Sequence, residues 1–134
     1  MKNDPITTFL AAIETASIDQ AEVYAADAEL DATVPNWRFR LHGPDAIRAE
    51  YAKWFNEPVT FLALERTPVP GGELVAYEHE WVEGGVRHRG HHAHHILVWG
   101  SRIVSDTVWC GGRWSESLLE EMGTVLPAVT GTGR

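Results

Sequence analysis

The chain has little cysteine and little positive charge, and each shortage excludes a class of protein. Of its 134 residues only Cys110 is a cysteine, which rules out an internal disulfide and is typical of a reducing compartment. Lysine and arginine total 11 against 19 aspartates and glutamates, so the net charge is −8. Nucleic acids and anionic membranes both require clustered positive charge, so neither is expected as a main partner.

The chain also lacks internal repeats and long apolar runs. No run approaches the ~20 residues that span a membrane. Residues 1–5 lack the apolar core of a signal peptide, and the sequence therefore predicts a cytoplasmic protein. Hydrophobic residues make up 44% of the chain, which is typical of a globular domain. We expect one domain over residues 1–122 and a flexible C-terminal tail over residues 123–134.

The first half of the sequence has the periodicity of helices. Asp4-Pro5 precedes apolar residues at helical spacing, and this predicts a first helix over residues 6–13. Asp19, with Glu22 three residues later, predicts a second helix that opens with a capping box. Residues 29–34 favour a short strand.

A third helix is predicted after Gly43-Pro44-Asp45, because proline is tolerated in a first helical turn. Trp37 and Phe39 fall in the loop before it, where Trp37 could cover a pocket mouth. One face of this helix carries an apolar stripe: Ile47, Tyr51, Trp54 and Phe55.

The second half predicts four antiparallel strands, over residues 59–67, 74–83, 86–99 and 102–111, with glycine-rich turns between them. A short helix over residues 115–122 follows. Helices that precede a series of hairpins predict an α+β domain, in which the N-terminal helices cover one face of a curved antiparallel sheet.

This order of elements occurs together with three short phrases, YAADA at 24–28, GPDAI at 43–47 and GSRI at 100–103. Over residues 6–122 the chain resembles the nuclear transport factor 2-like superfamily, and in particular its SnoaL-like polyketide cyclase and ketosteroid isomerase branch. The resemblance implies a cone-shaped sheet whose concave face, closed by the helices, forms a deep apolar pocket. It also implies a homodimer.

The resemblance places His94 where the isomerases carry a buried proton-donating Asp and the cyclases a His. Three other functional positions of the family differ. The isomerase base corresponds to Ala32, the isomerase Tyr to Phe9, and the cyclase acid–base Asp to Val108. The usual isomerase and cyclase mechanisms therefore need residues that this chain does not have.

Strand alternation sorts the remaining candidates into two faces. On the third helix, Tyr51, Trp54 and Phe55 are expected to be core residues first and pocket-wall residues second. The residues that would face the pocket with His94 are Tyr77, His79, Trp81, His92, Ile96, Val98, Val104, Asp106, Val108 and Cys110. The opposite, convex face would carry Ala93, His95, Leu97, Trp99, Ile103, Thr107 and Trp109. That face is apolar enough to predict a homodimer through the sheet.

Turn length predicts the pairing of the strands. A two-residue turn at Gly84-Gly85 places Tyr77 opposite His92, with His79 diagonal to it. A three-residue turn at 99–101 would place His94 directly opposite Asp106, within reach of a hydrogen bond. A two-residue turn at 100–101 would instead place Asp106 opposite His95, on the other face. The first register agrees with the family pattern, and we adopt it.

A His94–Asp106 pair suggests acid–base chemistry, because a carboxylate fixes the tautomer of the imidazole and raises the basicity of its other nitrogen. Tyr77 or His79 would be a second donor. The predicted function is isomerisation, cyclisation or dehydration of an apolar, oxygenated, cyclic or aromatic small molecule, without an organic cofactor. The alternative for the pair itself is a satisfied buried contact without chemistry.

Three other functions remain open. His79, His92, His94 and Asp106 have the ligand types of a Zn²⁺ or related metal site. The protein could bind a small ligand without catalysis, as the missing family residues would allow. A purely structural dimerisation module is disfavoured, because inward polar groups cost stability.

Overall fold

The computed structural model describes residues 4–125. In chain order the elements are α1 (Pro5–Glu14), a 3₁₀ turn (Ile18–Gln20), β1 (Tyr24–Val34), β2 (Trp37–His42), α2 (Pro44–Trp54), β3 (Thr60–Val69), β4 (Gly72–Glu83), β5 (Val86–Trp99), β6 (Arg102–Ser115) and α3 (Glu116–Val125). Between residues 4 and 125, no helix has the length and apolarity to cross a membrane.

The strands form one six-stranded sheet in the order β2-β1-β6-β5-β4-β3. All neighbouring strands are antiparallel except β1 and β6, which are parallel. The α+β class with a curved sheet is confirmed. The four antiparallel strands predicted in the second half are confirmed as β3 to β6, and the short strand predicted over residues 29–34 is the end of β1. The prediction of a fully antiparallel sheet is wrong, because β1 pairs in parallel with β6.

Two of the predicted helices are present with the expected starts. The Asp4 carboxylate accepts a hydrogen bond from the backbone N–H of Ile6 and caps α1. In α2, Pro44 occupies the first turn and Tyr51 is fully buried. The helices pack on the inner face of the sheet, where the Phe9 ring of α1 lies 5.6 Å from the ring of His94.

The second predicted helix, at Asp19 and Glu22, is absent, and this prediction is wrong. The segment makes only a 3₁₀ turn and then extends into β1 at Tyr24. The backbone N–H of Ile103 donates to the carbonyl of Val23, and the side chains of Val23 and Tyr24 are buried. Pairing with β6 therefore satisfies the backbone groups that a helix would have used.

The loop predicted around Trp37 and Phe39 is a strand, and this prediction is also wrong. A two-residue turn at Pro35-Asn36 joins β1 to β2, and Asn36 has a positive φ of 65°. Proline followed by a residue with positive φ is the pattern of a type II turn. Trp37 lies at the start of this edge strand and is 69% exposed.

The final helix is confirmed, although α3 begins at Glu116 and continues to Val125. The flexible tail predicted over residues 123–134 lies mostly outside the described residues.

Candidate functional site

The β4–β5 hairpin has the register that turn length predicted. Glu83 pairs with Val86 across Gly84-Gly85, and Tyr77 pairs with His92. His79 pairs with Gly90 and is therefore diagonal to His92. Tyr77, His79 and Trp81 all point into the protein and are buried.

The β5–β6 register differs from the prediction. Trp99 pairs with Arg102 across a two-residue turn, but the pairing shifts by one residue between Leu97 and Val98. This bulge restores the inward direction of Asp106, which pairs with Ile96 and not with His94. Ile103 consequently points inward and is 1% exposed, so its predicted place on the convex face is wrong.

His94 and Asp106 nevertheless meet by a diagonal contact. The His94 Nδ1 atom lies 2.9 Å from Asp106 Oδ1, and the His94 side chain is fully buried. The Tyr51 hydroxyl donates to the second carboxylate oxygen, Oδ2, at 2.6 Å. The buried carboxylate thus accepts hydrogen bonds at both oxygens.

The hydrogen bonds continue from His94 to a second histidine. The Tyr77 hydroxyl lies 3.0 Å from His94 Nε2 and 3.0 Å from His92 Nδ1. These bonds join five side chains into one buried network, which we call the polar chain: His92, Tyr77, His94, Asp106 and Tyr51. The sequence placed four of them on one face and predicted the His94–Asp106 bond, but it did not show the bonds made by Tyr77 and Tyr51.

A cavity of about 600 Å³ adjoins only one end of the polar chain, at His92. Trp54 and His79 lie in its wall beside His92. The other lining residues are Val34, Pro35, Lys53, Trp81, Gly90, Cys110, Gly111, Gly112, Arg113 and Trp114. Because Nδ1 of His92 is bonded to Tyr77, Nε2 is the ring nitrogen that remains for a molecule in the cavity.

The predicted pocket residues therefore divide into two groups. His79, Trp81, His92, Cys110 and Trp54 line the cavity. A second group is core behind that wall, buried without lining it: Tyr51, Phe55, Tyr77, His94, Ile96, Asp106 and Val108. Trp37 belongs to neither group, because it lies exposed on edge strand β2, and its predicted place at the pocket mouth is wrong.

Burial keeps the two cavity histidines neutral. Removal from solvent is the main cause that holds the pKa of His92 well below its usual range, and the neighbouring His79, His94 and His91 lower it further. Burial likewise lowers the pKa of His79 to about 4. At neutral pH both rings are therefore uncharged, and each neutral ring has one nitrogen that can accept a hydrogen bond.

Aromatic stacking and a glycine fix the position of His79. Its ring stacks on Trp81 at 5.0 Å with an interplanar angle of 19°. A Cβ at Gly90 would lie 2.6 Å from the Cε1 atom of His79, so the absence of a side chain there makes room for the ring. The Nδ1 atom of His79 is buried and has no hydrogen-bond partner.

The charged groups of the wall are both cations, Lys53 and Arg113, and sequence reasoning missed them. The Arg113 guanidinium lies 5.2 Å from the centre of the Trp81 ring, within cation–π range. Neither an aspartate nor a glutamate is among the described residues that line the cavity. Three residues separate Cys110 from Arg113, so regular alternation would place them on opposite faces of β6. The pairing shifts again between Gly90 and His92, and this irregularity turns Arg113 to the same face as Cys110. The sequence alone gave no signal for this shift.

Cys110 is a thiol in the cavity wall. Burial is the main cause that raises its pKa, so it has no thiolate character at neutral pH. This agrees with its predicted role as a small apolar side chain.

The histidines do not form the metal site considered from the sequence. Both ring nitrogens of His94 are engaged, one by Asp106 and one by Tyr77. Within residues 4–125, no group of three or more His, Cys, Asp or Glu side chains is placed to hold a metal ion. The metal-site alternative of His79, His92 and His94 is therefore wrong: two of these histidines line the cavity, and His94 lies in the core.

The outer face of the sheet exposes apolar side chains. Trp109 is 47% exposed and pairs with Ala93, which in turn pairs with Ala76. Leu74 is also exposed, and Trp99 at the β5–β6 turn is 80% exposed.

Comparisons with known proteins identify the fold and not an activity. No family model matches the sequence, and no curated protein matches it. Among solved structures, a candidate polyketide cyclase from Xanthomonas campestris pv. campestris is 16% identical with a TM-score of 0.61, covering 78% of this chain and 86% of that one.

Two further structures agree. An NTF-2-like protein of unknown function from Burkholderia xenovorans LB400 is 13% identical with a TM-score of 0.56, and the match covers 79% of each chain. A hypothetical protein with a ketosteroid isomerase-like fold from Catenulispora acidiphila DSM 44928, solved with trimethylamine, is 16% identical with a TM-score of 0.55, covering 81% of this chain and 85% of that one. The chain therefore has the nuclear transport factor 2-like fold, as the resemblance in its sequence predicted.

Proposed function

We propose that the protein is an enzyme that moves a proton on a small oxygenated molecule held in the cavity, by isomerisation, cyclisation or dehydration. The observation that carries this proposal is a neutral histidine, His92, in the cavity wall with a buried His–Asp pair behind it. A ring nitrogen that is free towards the cavity and supported from behind is the arrangement that a general base requires.

The site residues take different roles in this proposal. His92 is the catalytic base, and His79 is the second polar group beside the substrate. His94 and Asp106, which the sequence nominated as catalytic, act on the substrate only through His92 because they do not line the cavity. Trp54, Trp81 and Trp114 make part of the wall apolar, and an apolar surrounding strengthens electrostatic interactions with a developing oxyanion.

The wall supports an apolar, cyclic or aromatic substrate, because tryptophan rings offer broad apolar surfaces. Lys53 and Arg113 add hydrogen-bond donors for an oxygen or acidic group of the substrate, although each also pairs with a carboxylate that does not line the cavity, Glu50 at 3.7 Å and Glu83 respectively. Suitable probes are therefore small cyclic ketones, such as 2-tetralone, together with a carboxylated tetralone and its methyl ester. Tryptophan fluorescence reports their binding.

Replacing His92 with Gln is expected to slow proton abstraction about 10²–10⁴-fold while leaving probe binding nearly unchanged. The measurement is deuterium incorporation next to the carbonyl of a bound probe in D₂O, followed by mass spectrometry. Glutamine keeps a polar side chain of similar reach but provides no base at pH 7.

The matched control is His91→Gln, which changes the neighbouring exposed histidine on the same strand. Equal exchange rates in wild type and His92→Gln would contradict the proposed function. Binding of probes without any exchange in wild type would instead support the alternative, a small-ligand-binding protein without catalysis.

We also propose that two copies associate through the outer face of the sheet and form the homodimer that the sequence predicts. A face with Trp109, Leu74 and the small Ala93 and Ala76 can pack closely against its own copy. The free Cys110 fits the reducing cytoplasmic location that the sequence predicts.

Replacing Trp109 with Glu is expected to weaken the dimer at least ~30-fold, because a buried tryptophan contributes about 2 kcal/mol or more to an interface. Sedimentation over a dilution series measures the change. The control is Trp37→Glu, which alters an exposed tryptophan on edge strand β2. A monomeric wild type, or an unchanged dimer in Trp109→Glu, would contradict this interface.

A further inference from the structure

We propose that Tyr77 relays a proton between the two buried histidines, so that His92 takes the proton from the substrate while His94, beside Asp106, holds the charge. This inference rests on the proposed function for its purpose. Its geometry, however, can be tested without a substrate.

Proton counting fixes the resting state of the polar chain. With Asp106 ionised, its oxygens can only accept, so His94 carries its proton on Nδ1. The Nε2 atom of neutral His94 must then accept, and the one hydroxyl proton of Tyr77 goes to it. The Tyr77 oxygen in turn accepts from His92, whose proton lies on Nδ1. The lone pair of His92 Nε2 therefore remains free in the resting enzyme.

Three short proton movements follow when a substrate C–H bond is broken. The substrate proton forms a new N–H bond at His92 Nε2, and the C–H electron pair stays on the substrate. The Nδ1 proton of His92 passes to the Tyr77 oxygen, and the former Tyr77 proton passes to His94 Nε2. His92 and Tyr77 end neutral, His94 ends as an imidazolium, and no other reactant is needed.

The surroundings of the two rings favour this final position of the charge. A charge on His92 would lie in a buried site next to His79, whose ring centre is 4.8 Å away, without a carboxylate in hydrogen-bond contact. A charge on His94 lies 2.9 Å from a carboxylate that Tyr51 also supports. Coulomb attraction at that distance in a buried site is large compared with an exposed pair.

Other titratable or charged groups face the polar chain from each packed element. None of them is an acid that could replace Asp106 beside His94. They are Tyr24 from β1, Lys53 from α2, His79 from β4, His91 from β5, and Cys110 and Arg113 from β6. Burial raises the pKa of Tyr77 far above its ordinary value, so Tyr77 passes a proton on without resting as a phenolate.

The relay also explains how one histidine can be both base and acid. After the transfer, His92 is neutral with a proton on Nε2 and accepts a hydrogen bond at Nδ1. His92 can then donate that proton to another carbon or to a leaving hydroxyl group of the substrate, and the polar chain returns to its resting state. Isomerisation and dehydration both need such a return.

The test is ¹⁵N NMR of the histidine rings in the full-length protein over falling pH. At pH 8 we expect His92 with its proton on Nδ1. As the pH falls, His94 should become doubly protonated while His92 stays neutral and moves its proton to Nε2. A doubly protonated His92 beside a neutral His94 would overturn the relay. Unfolding with both rings still neutral would overturn it too, because His94 must hold the proton in the folded state.

Tyr77→Phe tests the role of the hydroxyl, and phenylalanine keeps the ring that packs on Phe61 and His94. The tautomer change of His92 should disappear in this variant, because no hydroxyl group then joins its ring to that of His94. A tautomer change that persists in Tyr77→Phe would contradict the relay. The NMR measurement needs no substrate turnover. If the deuterium exchange assay failed while the tautomer change of His92 was still observed, the proposed function would be refuted and the relay would not.

Discussion

Replacing Asp106 with Asn is expected to reduce proton abstraction about 10⁴-fold, the size of loss that a wrong histidine tautomer produces. The change is nearly isosteric, so the fold should be retained. The reason lies in the direction of each hydrogen bond in the polar chain.

Asparagine at position 106 would reverse the direction of the hydrogen bonds that run from residue 106 through His94 and Tyr77 to His92. Its carbonyl can still accept from the Tyr51 hydroxyl, but its amide must donate to His94 Nδ1. The His94 proton then moves to Nε2 and is donated to the Tyr77 oxygen, and Tyr77 donates to His92 Nδ1. His92 is left with a proton on Nε2, where the base should be.

The deuterium exchange assay measures the loss, and ¹⁵N NMR shows the cause. His92 of Asp106→Asn should carry its proton on Nε2 at every pH. The control is Asp31→Asn, which alters a strand carboxylate that binds the exposed Arg38 and does not contact the polar chain. If Asp106→Asn exchanged the probe at the wild-type rate, His94 and Asp106 would be merely a satisfied core pair.

Lowering the pH from 7 to 4 should destabilise the fold by several kcal/mol, because burial keeps the cavity histidines His79 and His92 neutral in the folded state. The unfolded state binds a proton at His79 near pH 6.5, whereas the folded state binds it only near pH 4. Between these values the unfolded state holds more protons, so stability falls as the pH falls.

The interval between the unfolded-state and folded-state pKa values of His79 corresponds to a loss of about 3 kcal/mol in the free energy of unfolding from this residue alone. His92, whose pKa is also held low by burial, acts in the same direction. The lowered pKa values of Asp4 and Asp31 add a loss at still lower pH, as these carboxylates become protonated.

Urea unfolding at pH 7 and pH 4.5 measures this effect, at one protein concentration because a dimer shifts the midpoint. His79→Gln removes one titrating group and should reduce the difference between the two pH values. His42→Gln, at an exposed position on edge strand β2 away from the cavity, is the control and should leave most of the difference in place. A His79→Gln variant with the full wild-type difference would show that His79 does not cause the acid sensitivity.

Several features of this protein followed from the sequence because they depend on short-range chain geometry. Asp4 and Pro44 marked helix starts, and the two-residue turn at Gly84-Gly85 fixed the pairing of Tyr77 with His92. Strand alternation placed His92 and His94 on the buried face, whereas the inward placement of Asp106 came from the family pattern. A period of two residues and a turn length are local properties, so a sequence can show them.

Tertiary structure decided which of those buried residues reaches the cavity. The inward direction of Asp106 depends on a bulge in β6, and its bond to Tyr51 joins residues 55 positions apart. His92 faces the cavity while His94, two residues on, lies behind it against Phe9 of α1. The helices that cover His94 and leave His92 accessible come from the N-terminal half of the chain, far from β5 in sequence. Strand periodicity shows which face a side chain takes, whereas only the packed helices determine whether that face meets a ligand or the core.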